Sequence, residues 1–268
     1  MIAGHRLFVS ALAKSARRKS PAATPIRHKL DFVSAPFATR NMPVLPAIRA
    51  VLVDLDGTLL DTVLDLHAAA NAMLRDLGRA EVAVDAIRAY VGRGIPNLVK
   101  RCLSGRLDAA DDPAPPPAAV LASFRRHYAA CNGRQTGVYP GAREGLAALR
   151  SQGLPLACIT NKAEAFTAPL LKRTGLADCF DVVVAGDTLP KTKPDPMQLV
   201  WACGRLAVKP QEALMIGDSI NDFHAARAAG CRVFLVPYGY NEGHDVRNLE
   251  CDAIVATLFE AAQIIASA

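Results

Sequence analysis

Val51-Leu52-Val53-Asp54-Leu55-Asp56-Gly57-Thr58 is the stretch on which the fold turns. Ala50 to Val53 is a short apolar, β-branched run, the pattern of a strand buried on both faces. Gly57 ends it. Asp54 and Asp56 then stand where a central strand runs into a loop, the position at which open α/β sheets bind ligands. Two residues apart in extended chain, their side chains leave on the same side. Such a pair is costly unless a cation or a shared proton relieves the repulsion. The plain alternative is a solvated turn, since Asp and Gly are ordinary turn residues.

Working outward, residues 63–78 read as a helix closed by Gly78, with Asp61 or Thr62 as its N-cap. Further helices are expected over Val84–Tyr90, from Pro96 to about Leu103, and from about Pro117 to Ala130. Asp108 to Pro117 is a polar, proline-rich loop. No strand is expected between 63 and 135. From Tyr139 the pattern becomes alternating. Helices are expected at 141–152, 163–174, 195–206, 220–229 and the C-terminus. Strands are expected at 156–160, 182–185, 213–217, 233–236 and 253–255. Strands alternating with helices argue for a parallel sheet covered on both faces. The reading is therefore α/β: a Rossmann-like parallel sheet core, residues 47–62 and 136–268, with an inserted all-helical domain, residues 63–135.

Composition narrows the function classes. The chain has 268 residues and a net charge of +6. Residues 1–46 hold eight Lys/Arg against one acid, so the remainder sums to −1. The basic balance belongs to this N-terminal extension, which gives no reason to expect nucleic-acid binding by the folded part. The extension reads as a disordered tail or an over-extended start, with organelle targeting as the alternative. The seven cysteines are scattered without a C-x-x-C pair, which suits a reduced, cytoplasmic protein. No apolar run approaches the ~20 residues of a membrane span.

Three further segments present polar groups. Leu156-Ala157-Cys158-Ile159-Thr160-Asn161-Lys162 ends a strand in Thr-Asn, where a hydroxyl and main-chain N–H groups suit an anion, or simply cap a helix. Lys193-Pro194 fixes an ammonium before the Asp195-Pro196 helix start, suited to phosphate as a point charge, or else a surface lysine. Leu214-Met215-Ile216-Gly217-Asp218 ends an apolar strand in an acid, with Asp222 four residues on. These oxygen ligands suit Mg²⁺, or else are helix-start acids.

The four segments in this order, D-x-D-G-T, strand-end Thr, Lys-Pro and G-D-S-x-x-D, resemble the phosphohydrolase branch of the haloacid dehalogenase-type superfamily over about residues 48–260. The helical insert resembles that family's cap domain. Within the superfamily the chain is most similar to bacterial phosphoglycolate phosphatases, on Ile87–Gly94, Ala185–Asp187, Lys193–Pro196 and Tyr238–Asn241. The resemblance implies Mg²⁺-dependent hydrolysis of a small phosphomonoester through an aspartyl-phosphate, with 2-phosphoglycolate as the expected substrate. It implies Asp54 as nucleophile and Asp56 as acid/base. Asp54, Asp56 (through its main-chain oxygen) and Asp218 would hold the metal. Thr160, Asn161 and Lys193 would hold the phosphoryl group, and Asp222 would support metal or lysine. Arg93, in a glycine-flanked turn of the insert, is the candidate to read the substrate's carboxylate; the alternative is a solvated arginine. Other small phosphoesters, β-phosphoglucomutase-like transfer and a non-catalytic regulatory module are the rival functions. A monomer or homodimer is expected.

Overall fold

β1 (Ala50–Val53) is apolar and fully buried. It lies mid-sheet with parallel neighbours on both sides, β4 (Leu156–Ile159) and β6 (Ala213–Gly217). In this computed structural model, which describes residues 47–268, the sheet continues through β5 (Val182–Val184) on one side. On the other it continues through β7 (Arg232–Leu235) and β8 (Ala253–Ile254), giving the order β5-β4-β1-β6-β7-β8, all parallel. The chain builds outward from β1 to β4 and β5, then returns to the far side of β1 for β6. That reversal opens a crevice at the carboxyl ends of the central strands. The expectation for residues 1–46 lies outside the described residues.

Alternating side chains of β1 feed two cores. Val51 and Val53 join an apolar cluster with α5 (Ala142–Ser151) and α9 (Leu258–Ala266), while Leu52 joins α7 (Met197–Arg205) and α8 (Ile220–Ala229) on the opposite face. α6 (Glu164–Thr174) adds Leu170 and Leu171 to the first cluster. Among the described residues, no helix is long and apolar enough to cross a membrane.

α1 (Val63–Asp76), α2 (Val84–Tyr90), α3 (Gly94–Ser104) and α4 (Ala118–Cys131) form the helical insert, within two residues of the expected bounds. It has its own apolar cluster, including Leu66, Met73, Phe124 and Tyr128, to which the sheet side contributes Phe166 and Tyr240. One feature went unexpected: β2 (Leu60–Asp61) and β3 (Gly137–Val138) pair antiparallel where the chain leaves for the insert and returns. Leu60-Asp61 and Gly137-Val138 are each a single apolar residue beside a polar residue or glycine, with no apolar run to mark a strand. Asp65, fully buried in the first turn of α1, fastens the return. It accepts hydrogen bonds from Gly133 N (2.9 Å), Gln135 N (3.0 Å) and Thr136 Oγ1 (2.7 Å).

Candidate active site

The ends of β1, β4 and β6 meet on one lysine. Lys193 reaches in from the loop before α7, and its Nζ donates to Asp54 Oδ1 (2.5 Å), Asp222 Oδ1 (2.7 Å) and the Ile159 carbonyl (2.8 Å). Its three protons are thus all given to acceptors. Burial alone would push this ammonium down, but the two carboxylates hold it above the usual lysine range. Burial pushes the Asp54 carboxyl up to about 7, against the pull of Lys193.

Asp218 and Asp222 owe their positions to the β6–α8 turn. Ser219 caps α8, and Asp222 Oδ2 accepts from Ser219 Oγ (2.6 Å) and Ser219 N (3.1 Å), a reciprocal capping box. That turns the other oxygen of Asp222 toward Lys193. Asp218 accepts from Thr58 Oγ1 (2.7 Å) and Tyr240 N (2.5 Å). Gly57, at φ +93°, lies so close that a Cβ there would sit 2.2 Å from Asp218 Oδ2. The glycine of D-x-D-G-T therefore serves both the turn and the carboxylate it packs against.

One carboxylate oxygen from each of Asp54, Asp218 and Asp222 lies within 4.8 Å of the other two, all buried. Burial, then the Asp54 and Asp222 charges, push Asp218 well above the usual carboxylate range. Four carboxylates, Asp54, Asp56, Asp218 and Asp222, line the cavity against two ammonium groups, Lys162 and Lys193. One divalent cation cancels that deficit, and an all-oxygen donor set is the kind magnesium takes. The chemistry of the donors fits the metal implied by the sequence.

Asp56 stands apart from that cluster. Its Oδ1 accepts from Thr62 Oγ1 (2.6 Å), and both oxygens accept from Lys162 Nζ (2.8 and 3.1 Å). Sequence reasoning quoted Lys162 but gave it no role; a cation directly after the strand-end Thr-Asn was the available signal. Thr160 is buried, and its hydroxyl accepts from Lys162 N (3.1 Å). Asn161 gives its amide protons to the carbonyls of Gly92 (2.9 Å) and Lys193 (2.8 Å), which ties the insert to the lysine loop. An oxyanion role for Asn161 would therefore fall to its main chain.

Arg93 is not brought to the cavity with the others. It donates to Glu242 (3.0 Å) and Asp111 (2.8 Å), while its neighbours Gly92 and Gly94 line the wall. Glu242 follows β7 and also accepts from the buried Arg101 of α3 (2.8 Å). Neither Glu242 nor Arg101 was singled out in the sequence. Leu66, Val91, Ile95 and Leu98 of the insert give the cavity an apolar roof.

The profile of haloacid dehalogenase-like hydrolases matches residues 48–230. The chain belongs to that family. It is 56% identical over 218 residues to the phosphoglycolate phosphatase of Nitrosospira multiformis, covering 81% of this chain and 96% of that protein. It is 52% identical over 221 residues to that of Thiobacillus denitrificans, covering 82% and 97%. Among solved structures, a predicted phosphoglycolate phosphatase from Haemophilus somnus superposes with a TM-score of 0.73 at 29% identity, covering 81% of this chain and 97% of that one. The family matches the α/β sheet and helical insert expected from the sequence, and the chain is a hydrolase.

Proposed function

We propose that the chain hydrolyses 2-phosphoglycolate to glycolate and phosphate, with Mg²⁺, through an aspartyl-phosphate on Asp54. The observation that carries this reading is the convergence of Asp54 at the end of β1, Asp218 at the end of β6, Asp222 in the first turn of α8 and Lys193 from the loop before α7 on one buried point. The similarity to phosphoglycolate phosphatases at more than half identity supports the substrate.

Asp54 attacks phosphorus, and the ester P–O bond breaks. Asp56 gives its proton to the departing glycolate oxygen. It then takes a proton from water, which attacks the aspartyl-phosphate, and the P–O bond to Asp54 breaks to release phosphate. Lys162 and Thr62 fix the Asp56 carboxyl for both steps. Lys193 and Thr160 hold the phosphoryl oxygens, with the main chain at Asn161. Asp222 keeps Lys193 aimed. Asp54, Asp218 and the main-chain oxygen of Asp56 would hold Mg²⁺, which when bound draws charge from the phosphoryl oxygens. The insert, residues 63–135, acts as a lid that shuts water out, with the β2–β3 ribbon at its two crossings as the hinge. Seven free thiols suit the reducing cytoplasm.

The test is phosphate release from 2-phosphoglycolate, a sugar phosphate and a nucleoside monophosphate, each with Mg²⁺ and with EDTA. The reading requires EDTA-sensitive release with phosphoglycolate preferred. A preference for either other ester replaces the substrate, and EDTA-insensitive release removes the metal.

A further inference from the structure

Lys162 is a buried cation whose capacity is only partly used. Its side chain is 5% exposed, and among the described residues its Nζ donates to Asp56 alone. The Tyr128 ring lies on another side, 5.0 Å from the ammonium to the centroid. An ammonium carries three donors. Lys193 has given all of its own to acceptors, whereas Lys162 serves a single carboxylate.

No other described cation lines the cavity. Arg93 is held by Glu242 and Asp111, and Arg101 by Glu242, the Tyr90 carbonyl and the Leu107 carbonyl. The roof side chains Leu66, Val91, Ile95 and Leu98 offer no polar group to an anion. A substrate with a second negative group beyond its phosphoryl end therefore meets one ammonium, that of Lys162.

The chemistry of the ester fixes where that second group falls. In 2-phosphoglycolate the carboxylate carbon is two bonds from the bridging oxygen. Asp56 is the group that must reach that oxygen to protonate it. A cation seated on Asp56 is therefore next to the carboxylate.

We infer that Lys162 is the specificity-determining cation of the site, binding the carboxylate of a short phosphorylated hydroxy acid while it steadies Asp56. This rests on the phosphatase reading above. It moves the reading of the carboxylate from the insert to the β4–α6 turn, and it predicts that longer phosphorylated acids, whose carboxylate lies further from the bridging oxygen, bind less well.

The experiment compares kcat and KM on 2-phosphoglycolate and on 2-hydroxyethyl phosphate, in which a hydroxyl replaces the carboxylate. It uses the full chain with saturating Mg²⁺, as wild type, Lys162→Met and Lys162→Arg. Losing a charge-assisted contact to the carboxylate should cost Lys162→Met about 10- to 100-fold more in kcat/KM on phosphoglycolate than on hydroxyethyl phosphate, mainly through KM. Lys162→Arg should recover part of that difference, and competitive inhibition by glycolate should weaken in Lys162→Met while inhibition by phosphate persists. Equal losses on both esters, with glycolate inhibition intact, would mean that Lys162 serves Asp56 only, and would overturn the inference. If Lys162→Met does not fold, Lys162→Arg decides, since a displaced charge must raise KM for phosphoglycolate alone. A wild type that releases phosphate from hydroxyethyl phosphate as readily as from phosphoglycolate refutes the carboxylate role without touching the phosphatase chemistry. A wild type inactive on both refutes the phosphatase reading itself.

Discussion

The floor and the roof of the cavity are built on opposite principles. The floor is polar and comes from three strand ends, where Lys193 joins Asp54 and Asp222 within 2.7 Å. The roof is apolar and comes from α1, the α2–α3 turn and α3. Its own charges, on Arg93 and Arg101, face away from the chemistry and are tied to Glu242 of the sheet side. Charge in the floor is arranged to act on a ligand. Charge in the roof is arranged to hold two parts of the chain together.

The largest effect expected from breaking this contrast is in the floor. Asp54→Asn removes the nucleophile and one of three crowded acids while keeping the shape. Phosphate release should fall by at least about 10³-fold, whereas the urea unfolding midpoint should hold or rise. Retained turnover would take the nucleophile role from Asp54.

The roof answers differently. Glu242→Gln leaves Arg101, 1% exposed at its side chain, without its carboxylate. Removing one partner of a buried pair typically costs about 3–5 kcal/mol. The variant should lose stability by urea denaturation on that order, and Arg101→Met/Glu242→Gln together should lose less than the single change. If the double variant is the weaker one, the pair is not what fastens the insert.

How much of this was legible follows the same division. Asp54, Asp56, Thr160 and Asp218 were legible as strand-end polar groups because each follows an apolar run, and Lys193 as a lysine fixed before Pro194 and the Asp195-Pro196 helix start. The sheet was legible for the same reason, since every strand but the two-residue pair is an apolar run bounded by a turn. Glu242 and Arg101 are 141 residues apart, and no period or spacing links them. Arg93 drew notice because glycines flank it, yet only the fold reveals that Glu242 and Asp111 claim its guanidinium. Asn161 was legible as a polar strand-end residue, but not as a strut between Gly92 and Lys193. Lys162 was hidden by the opposite problem: it was in plain view, and only its contact with Asp56 gives it meaning.

Metal sharpens the floor further. Burial, and after it neighbouring carboxylate charges, raise Asp54 and Asp218, so an ion bound to the native state alone should stabilise it. At 100 times its dissociation constant the gain is about 2.7 kcal/mol. Thermal unfolding with and without Mg²⁺ measures it, and Asp218→Asn should remove most of the shift. An equal shift in that variant would place the ion elsewhere.

The smallest effect belongs to the outer face of the roof. Asp76 at the end of α1 accepts from Ser123 Oγ (2.6 Å), His127 Nε2 (2.8 Å) and Arg126 (2.8 Å) of α4, joining the two helices in the open. The Ser123 hydroxyl first, then His127, hold its carboxyl below the usual value of 3.8. A carboxylate whose pKa is lower in the folded state contributes stability above its unfolded pKa and loses it as pH falls through the folded one. Asp76→Asn should therefore lower the urea midpoint slightly at pH 7 and converge with wild type as the pH falls through the lowered carboxyl value. A difference that persists in acid would mean that the contact works by shape rather than charge. The open contact between α1 and α4 would then behave like the apolar cluster beneath it and unlike the Arg101–Glu242 pair.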